Sequence, residues 1–336
     1  MSAYQSTPLC LALQKNIEEI STLDNIIYAR PKTGLLDSLL AQGEGMGFLV
    51  SDKGPYTAIE IKYTQRDEST VSEVFQACPT GVQTDTKLVT VLPNLHATQS
   101  FSFSVDELNA ICKSPEEIQG KRILDCINAI NKKVNEKLIT LFWAAVGNYY
   151  GGTVNSGTTP ITVDLVSGTP LAVQYPEMYK ILDEFDMISN GAGRPILVGA
   201  KELKQYVAMA NLGCCNAQGL DITKSNGEFA FFADYQVDTV INDGDEHYLG
   251  YIPGALQLIT TNRYRPPFSV MSETQQQGTL TDPNTGLVYD MFMKMDCEVW
   301  TVTLSMWYNL YIQPDDIYTG VHDLNGVNQL LNFTKV

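Results

Sequence analysis

The chain has 336 residues, 44% of them hydrophobic and 10% aromatic, which is enough to bury one large core or two smaller ones and excludes a disordered chain. Its 22 basic and 38 acidic residues leave a net charge of −16, which argues against a protein whose task is gripping phosphates, because nucleic-acid affinity comes mainly from Lys and Arg displacing counterions. An acidic wall can still enclose nucleic acid loosely.

No run of about 18 apolar residues occurs, and "MSAYQSTPLCLALQKN" lacks the basic start and cleavage site of a secretory signal. The expectation is a cytosol-like compartment and no membrane. The seven cysteines (Cys10, Cys78, Cys112, Cys126, Cys214, Cys215 and Cys297) are scattered without a CxxC pair and read as reduced, buried thiols.

Residues 1–53 hold an amphipathic helix candidate, "LALQKNIEEI", then "ARPKTG" and the glycine-rich "QGEGMG", and read as an arm more than a domain. From Tyr56 the period becomes two: Ile59, Ile61 and Tyr63 share one face of a strand, and Glu60, Lys62 and Thr64 the other. "VSEVFQAC", "KLVTVL" and "HATQSFSFSV" continue in strands around the turn-rich "PTGVQTDT". Residues 56–105 are therefore expected to form an extended β excursion too narrow to own a core.

Two capping boxes follow, Ser104 with Glu107 and Ser114 with Glu117, the second with Pro115 at the first helical position. Beyond it Ile123, Ile127, Ile130, Val134, Leu138, Leu141 and Ala145 recur at steps of three or four, a single apolar stripe. The helix predicted from "SPEE" to "VGNYYGG" holds roughly 34 residues, about 50 Å. Its heptads are too few for a coiled coil, so it is expected to pack along a sheet. "ITVDLVSGTPLAV" then reads as short strands, and Met178, Ile181, Leu182 and Phe185 as a helix face ending at Gly191. An α/β stretch comes next: strand "PILVGA", helix "KELKQYVAMANLG", strand "FAFFADYQVDTVI", turn "NDGDE" and "HYLGYIPGALQLITTNRY". After the turn "DPNTG", residues 287–312 are dense in β-branched and aromatic residues and predict long strands.

This order, with "FSVDELNAI", the long capped helix running to a glycine pair and "ADYQVDTVINDGDEHYLGYIPGALQLITTNRY", resembles the major capsid proteins of tailed bacteriophages, the HK97-type fold. The resemblance implies an α+β fold. Its parts would be an N-terminal arm (1–53), an extended β-hairpin E-loop (54–103), a P-domain with the long spine helix (104–192), an α/β A-domain (193–262), and P-domain strands with a C-terminal tail (263–336). The E-loop would find its missing core on a neighbouring subunit, with Tyr63, Arg66, Asp67, Glu68 and Lys87 as inter-subunit contacts. The implied function is self-assembly into hexamers and pentamers of a shell in the virion, built in the host cytoplasm around double-stranded DNA without sequence-specific binding. A portal and decoration proteins are further implied partners. About fifty residues precede the E-loop, too few for a scaffolding segment, so a separate scaffolding protein is implied, or none. The tryptophan-glutamate signature that many relatives carry in the E-loop is absent; the tryptophans are Trp143, Trp300 and Trp307. An encapsulin-like compartment shares the fold and is the nearest alternative, and an enzyme with a cryptic site a more distant one.

No catalytic residue, cofactor or metal is expected. His96, His247 and His322 are isolated and read as surface or interface residues. Cys214 and Cys215 follow an apolar helix and read as buried. Asp243, Asp245 and Glu246 offer clustered oxygens without EF-hand spacing, which favours a hairpin turn over a Ca²⁺ site. "GEGMG" and "GAGRP" lack a nucleotide-binding pattern and read as hinges. Lys132, Lys133 and Lys137 read as a solvated face, with DNA or a neighbour's acids as the other partner for them. Asn332 heads an idle glycosylation sequon.

Overall fold

A computed structural model describes residues 32–64, 66–67, 86–104, 115–146, 161–168, 171–189, 193–212, 229–263, 275–314, 318–319 and 329–335. The two capping boxes, the "LALQKNIEEI" helix, "VSEVFQAC", Cys214, Cys215 and His322 lie wholly or in part outside the described residues. In chain order come helix α1 (Gly34–Ala41), strands β1 (Phe48–Ser51), β2 (Ile59–Thr64), β3 (Arg66–Asp67), β4 (Thr86–Val91) and β5 (Leu95–Ser104), then helix α2 (Pro115–Ala145). Next are β6 (Ile161–Val163), β7 (Val166–Ser167), β8 (Ala172–Val173), α3 (Tyr175–Ser189), β9 (Ile196–Gly199), α4 (Lys201–Leu212), β10 (Ala230–Ala233), α5 (Val237–Ile241) and β11 (His247–Tyr251). The remaining strands are β12 (Leu256–Thr261), β13 (Gln275–Thr281), β14 (Val288–Asp296), β15 (Val299–Ile312), β16 (Tyr318–Thr319) and β17 (Leu330–Lys335).

Strand β15 organises the first sheet, of order β1-β12-β15-β14-β13, with β5 also on β15. Its alternation is the cause: Val302, Leu304, Met306, Tyr308 and Leu310 are buried on one face, while Thr301, Thr303 and Ser305 on the other are only partly covered. Helix α2 lies along the buried face. Ile123, Ile127, Ile130, Val134 and Leu138 join Val302, Leu304 and Met306 in one cluster with Leu35, Leu36 and Leu39 of α1, so the stripe meets the sheet and helix α1 together. At 31 residues α2 is about 46 Å long.

The second sheet has the order β10-β9-β11-β17-β6. Helices α3 and α4 cover one face, packing Met178, Ile181, Phe185, Leu203 and Tyr206 on Leu197, Tyr248, Leu331 and Phe333. The other face contributes Ile196, Val198, Leu249, Tyr251 and Leu330 to the first core. Gly250 permits the close approach of α3, since a Cβ there would collide with Phe185 Cζ.

The structure corrects several expectations. Residues 34–51, assigned to an arm, belong to the core: Leu35, Leu36 and Leu39 of α1 are fully buried, and β1 pairs with β12. The sequence does not announce this helix, because it is apolar nearly all round and shows no polar face. "GEGMG" is a packed turn, not a hinge: Gly47 N–H bonds Gly43 O at 3.0 Å, and a Cβ on Gly47 would collide with Leu39 O. Strand β5, placed in the excursion, pairs with β15 from Leu95 opposite Tyr308 to Ser104 opposite Val299. The stretch 193–262 is shared between the sheets, because the chain crosses at Ile252–Ala255 and β12 enters the first sheet beside β15.

A further correction concerns "FAFFADYQVDTVI", which stops being a strand at Asp234. That carboxylate is fully buried and accepts three hydrogen bonds: at Oδ2 from Leu35 N–H (3.0 Å) and the Asn135 amide (2.8 Å), and at Oδ1 from Gln236 N–H (2.9 Å). Leu36 N–H donates to Asn135 Oδ1 at 2.9 Å. Two first-turn N–H groups of α1, which have no partner within their own helix, thus find acceptors on α2 and the β10–α5 connection. Burial raises the Asp234 carboxyl, while the bonds from Asn135, Gln236 and Leu35 favour its ionised form. Both oxygens must accept, so Asp234→Asn, although isosteric and uncharged, turns an NH₂ toward a donor. The expected loss is about 1–3 kcal/mol, read as a lower denaturant midpoint at unchanged slope; an unchanged midpoint would show that the carboxylate is not needed as acceptor.

Candidate assembly surfaces

The first sheet has one covered and one open face. On the open face Ser100 bonds Thr303 at 2.8 Å and Ser102 bonds Thr301 at 3.0 Å between hydroxyls, while Thr98 donates to Leu304 O at 3.1 Å. Hydroxyl side chains in period two place a polar, nearly uncharged ladder opposite the helix. Asp290, on the same face, is buried and accepts Arg263 N–H at 2.7 Å.

The β2–β4 hairpin rises from the end of this open face. Ile59 and Val91 form a small cluster with Ile259 and Tyr311, which anchors the hairpin base on β12 and β15. Trp307 sits beside it, with the His96 ring stacked at 4.3 Å and the Tyr56 ring edge-on at 5.1 Å. Burial lowers the His96 imidazole, against a raising effect of Asp290 and with a further lowering by Arg263. Asn309 donates to Leu92 O at 2.7 Å and holds the return strand. Further out the hairpin leaves Leu88 at 48% exposure, and its root leaves Tyr56 at 63% and Leu92 at 37%. Large apolar side chains are thus left open around a two-stranded ladder.

Of the five residues expected to touch a neighbour, Tyr63 and Lys87 lie directly opposite each other on β2 and β4. Arg66 and Asp67 form β3, which pairs in parallel with Tyr318 and Thr319. Glu68 falls outside the described residues. The hairpin root with Tyr56, His96 and Trp307 was not anticipated, although a Trp in the longest apolar strand is a signal that could have found it.

His247 departs from the reading of the histidines as surface or interface residues, which holds for the exposed His96. His247 is 1% exposed, with Nε2 at 2.8 and 2.9 Å from the Asp243 carboxylate oxygens, Nδ1 at 3.0 Å from Thr334 Oγ1, and Trp143 edge-on at 5.0 Å. "NDGDE" is accordingly not a hairpin between strands but the connection from α5 to β11, with Asn242 left-handed at φ 53° ending the helix. Among the described residues no group of three or more His, Cys, Asp or Glu is placed to hold a metal ion. Cys126 is buried, and desolvation with help from Asp125 pushes its thiol up to about 11, which makes it unreactive. Cys297, expected to be buried, is exposed at the β14–β15 turn. Asn332 is 4% exposed on β17, opposite Leu249, which closes its sequon to modification. No described helix is long and apolar enough to cross a membrane.

No protein-family model matches the chain, and a comparison with curated proteins finds no relative. Solved structures do match. The capsid asymmetric unit of cyanophage A-1(L) is similar at a TM-score of 0.54 and 11% identity, over 94% of this chain and 97% of that one. The capsid of Ralstonia phage GP4 is similar at 0.53 and 10%, over 91% and 92%. A virus-like particle from Pyrococcus furiosus covers 89% and 96% at 10% identity, but its TM-score of 0.40 carries no weight. The likeness shows the fold: this chain has the α+β, HK97-type architecture of phage capsid subunits.

Proposed function

We propose that this chain is the major capsid protein of a tailed bacteriophage, assembling as hexamers and pentamers into the head shell around packaged double-stranded DNA. The observation that carries the reading is a fold, with a long helix laid along a sheet, shared over more than nine-tenths of both chains with two phage capsid subunits. Helix α2 runs along the first sheet, and one face of the second sheet joins the same core. The role is structural and needs no catalysis.

On this reading β2–β4 is the root of the E-loop and lies on a neighbour, with Tyr63, Arg66, Asp67, Glu68 and Lys87 at the contact. The P-domain comprises α1, α2 and the first sheet, and the A-domain the second sheet with α3 and α4. Assembly takes place in the host cytoplasm, and a portal and decoration proteins complete the head.

Electron microscopy of the purified, expressed chain tests the proposal. Shells, tubes or capsomer rings are expected; discrete small oligomers under every condition would sink it. Portal, terminase and tail genes beside its own gene separate a phage head from a cellular compartment.

A further inference from the structure

The solvent side of α2 carries a charge opposite to that of the chain. Between Lys121 and Lys137 the helix has five basic residues against Asp125 and Glu136, within a chain of net charge −16. Lys132 and Lys133 are exposed, Arg122 and Lys137 half-buried, while Ile123, Ile127, Ile130, Val134 and Leu138 of the same turns point into the core. Glu136 is already engaged, accepting from Lys133 Nζ at 2.8 Å and Gln236 Nε2 at 3.3 Å. Arg122 donates to a neutral acceptor, Ser102 O, at 2.8 Å and so keeps its charge uncompensated. Lys132 and Lys137 make no ion pair with a described residue. Gln236 of the β10–α5 connection bonds Lys132 O at 3.4 Å.

The other side of the tile has a different chemistry. Its face is the hydroxyl ladder of Ser100, Ser102, Thr301 and Thr303, and from its end rises the hairpin with exposed Tyr56, Leu88 and Leu92. Apolar surface for contact with another copy and basic surface are thus segregated to opposite faces of one sheet.

We infer that the solvent side of α2 faces the shell lumen and lies against the phosphates of the enclosed DNA duplex, an inference that rests on the shell reading above. Lysines on long stems neutralise phosphates as point charges without reading bases, which gives contact without sequence preference. The stretch from Lys121 to Lys137 spans about 24 Å, so each subunit reaches only a few phosphates. Such contacts are weak and salt-labile, and the acidic remainder of the chain keeps the duplex from adhering elsewhere. An acidic surface of a second copy is the other occupant this charge fits. DNA is favoured because the apolar contact surface stands on the far side of the sheet.

The test compares wild type, Lys132→Gln/Lys133→Gln/Lys137→Gln and a control on the opposite face, Lys294→Gln, each first matched in thermal melting. If the triple variant melts lower, the exposed pair Lys132→Gln/Lys133→Gln replaces it. Free subunits are titrated with a short random-sequence duplex across salt, and assembly is followed by light scattering. Wild type is expected to bind weakly at about 50 mM salt, and the triple variant to flatten the slope of log affinity against log salt by about 2–3, at roughly 0.9 for each phosphate no longer neutralised. Lys294→Gln leaves the slope unchanged, and all three proteins assemble alike. An unaltered slope in the triple variant, or no binding by wild type at low salt, overturns the inference. So does a triple variant that binds DNA normally but fails to assemble, which would place a second copy on this face. A flattened slope in a chain that never forms shells would overturn the shell reading and leave α2 as a phosphate-binding face.

Discussion

Replacing Ile130 by aspartate is expected to leave no folded protein. Ile130 is 2% exposed and lies midway along the α2 stripe, in the cluster that also holds Leu36, Leu258 and Leu304. A carboxylate there has no cation in reach of the apolar stripe, and burying it unpaired costs several kcal/mol even after its proton affinity rises. A typical domain has only about 5–15 kcal/mol in hand. The cost is not confined to one sheet, because Ile196, Val198 and Leu249 of the second sheet belong to the same cluster. The neighbouring Ala129 is exposed, so Ala129→Asp is expected to melt as wild type does. Circular dichroism of the two variants decides: a soluble Ile130→Asp protein with wild-type melting would mean that the stripe faces solvent.

The same contrast explains how far the sequence could be read. Helix α2 and strand β15 were legible because each buries one face, which forces a period of 3.6 or 2 onto its residues. Helix α1 was not, since "GLLDSLLA" is enclosed nearly all round, and its polar Ser38 is satisfied inside the core by Tyr251 Oη at 2.6 Å. Alternation also says nothing about which strand lies beside which. The period-two runs holding β2 and β5 look alike in sequence, yet β5 completes a sheet and β2 does not. The break after Ala233 is set by a long-range demand, the N–H of Leu35 that needs an acceptor, which no local window contains. Of the candidate site, the hairpin was visible as alternation without a core. Its root at Trp307 was not, because the partners Tyr56, His96 and Trp307 are brought together only by the β5–β15 register.

Deleting residues 65–85 is expected to abolish assembly while sparing the fold. Thr64 and Thr86 face each other at the end of the β2–β4 ladder, so a two-residue Asn-Gly turn of the hairpin type rejoins the strands in register. The cluster of Ile59, Val91, Ile259 and Tyr311 lies at the opposite end of that ladder and is untouched. Within the described residues the deletion removes only β3 and its short pairing with β16. For a domain of this size 1 kcal/mol shifts the melting temperature by about 2–4 °C, so a fall of a few degrees is the most that this pairing explains. What disappears includes Arg66, Asp67 and Glu68, three of the five proposed contacts. Tyr63 and Lys87 remain at the end of the shortened hairpin, so Tyr63→Ala/Lys87→Ala in the full chain weighs the retained ladder against the removed part. Calorimetry and light scattering on the deletion give separate answers. A fall of well over ten degrees would make the segment part of the subunit's own core, and normal shell growth by the deletion would remove it from the inter-subunit contact and leave the hairpin root, with Leu88, Leu92 and Tyr56, to carry it.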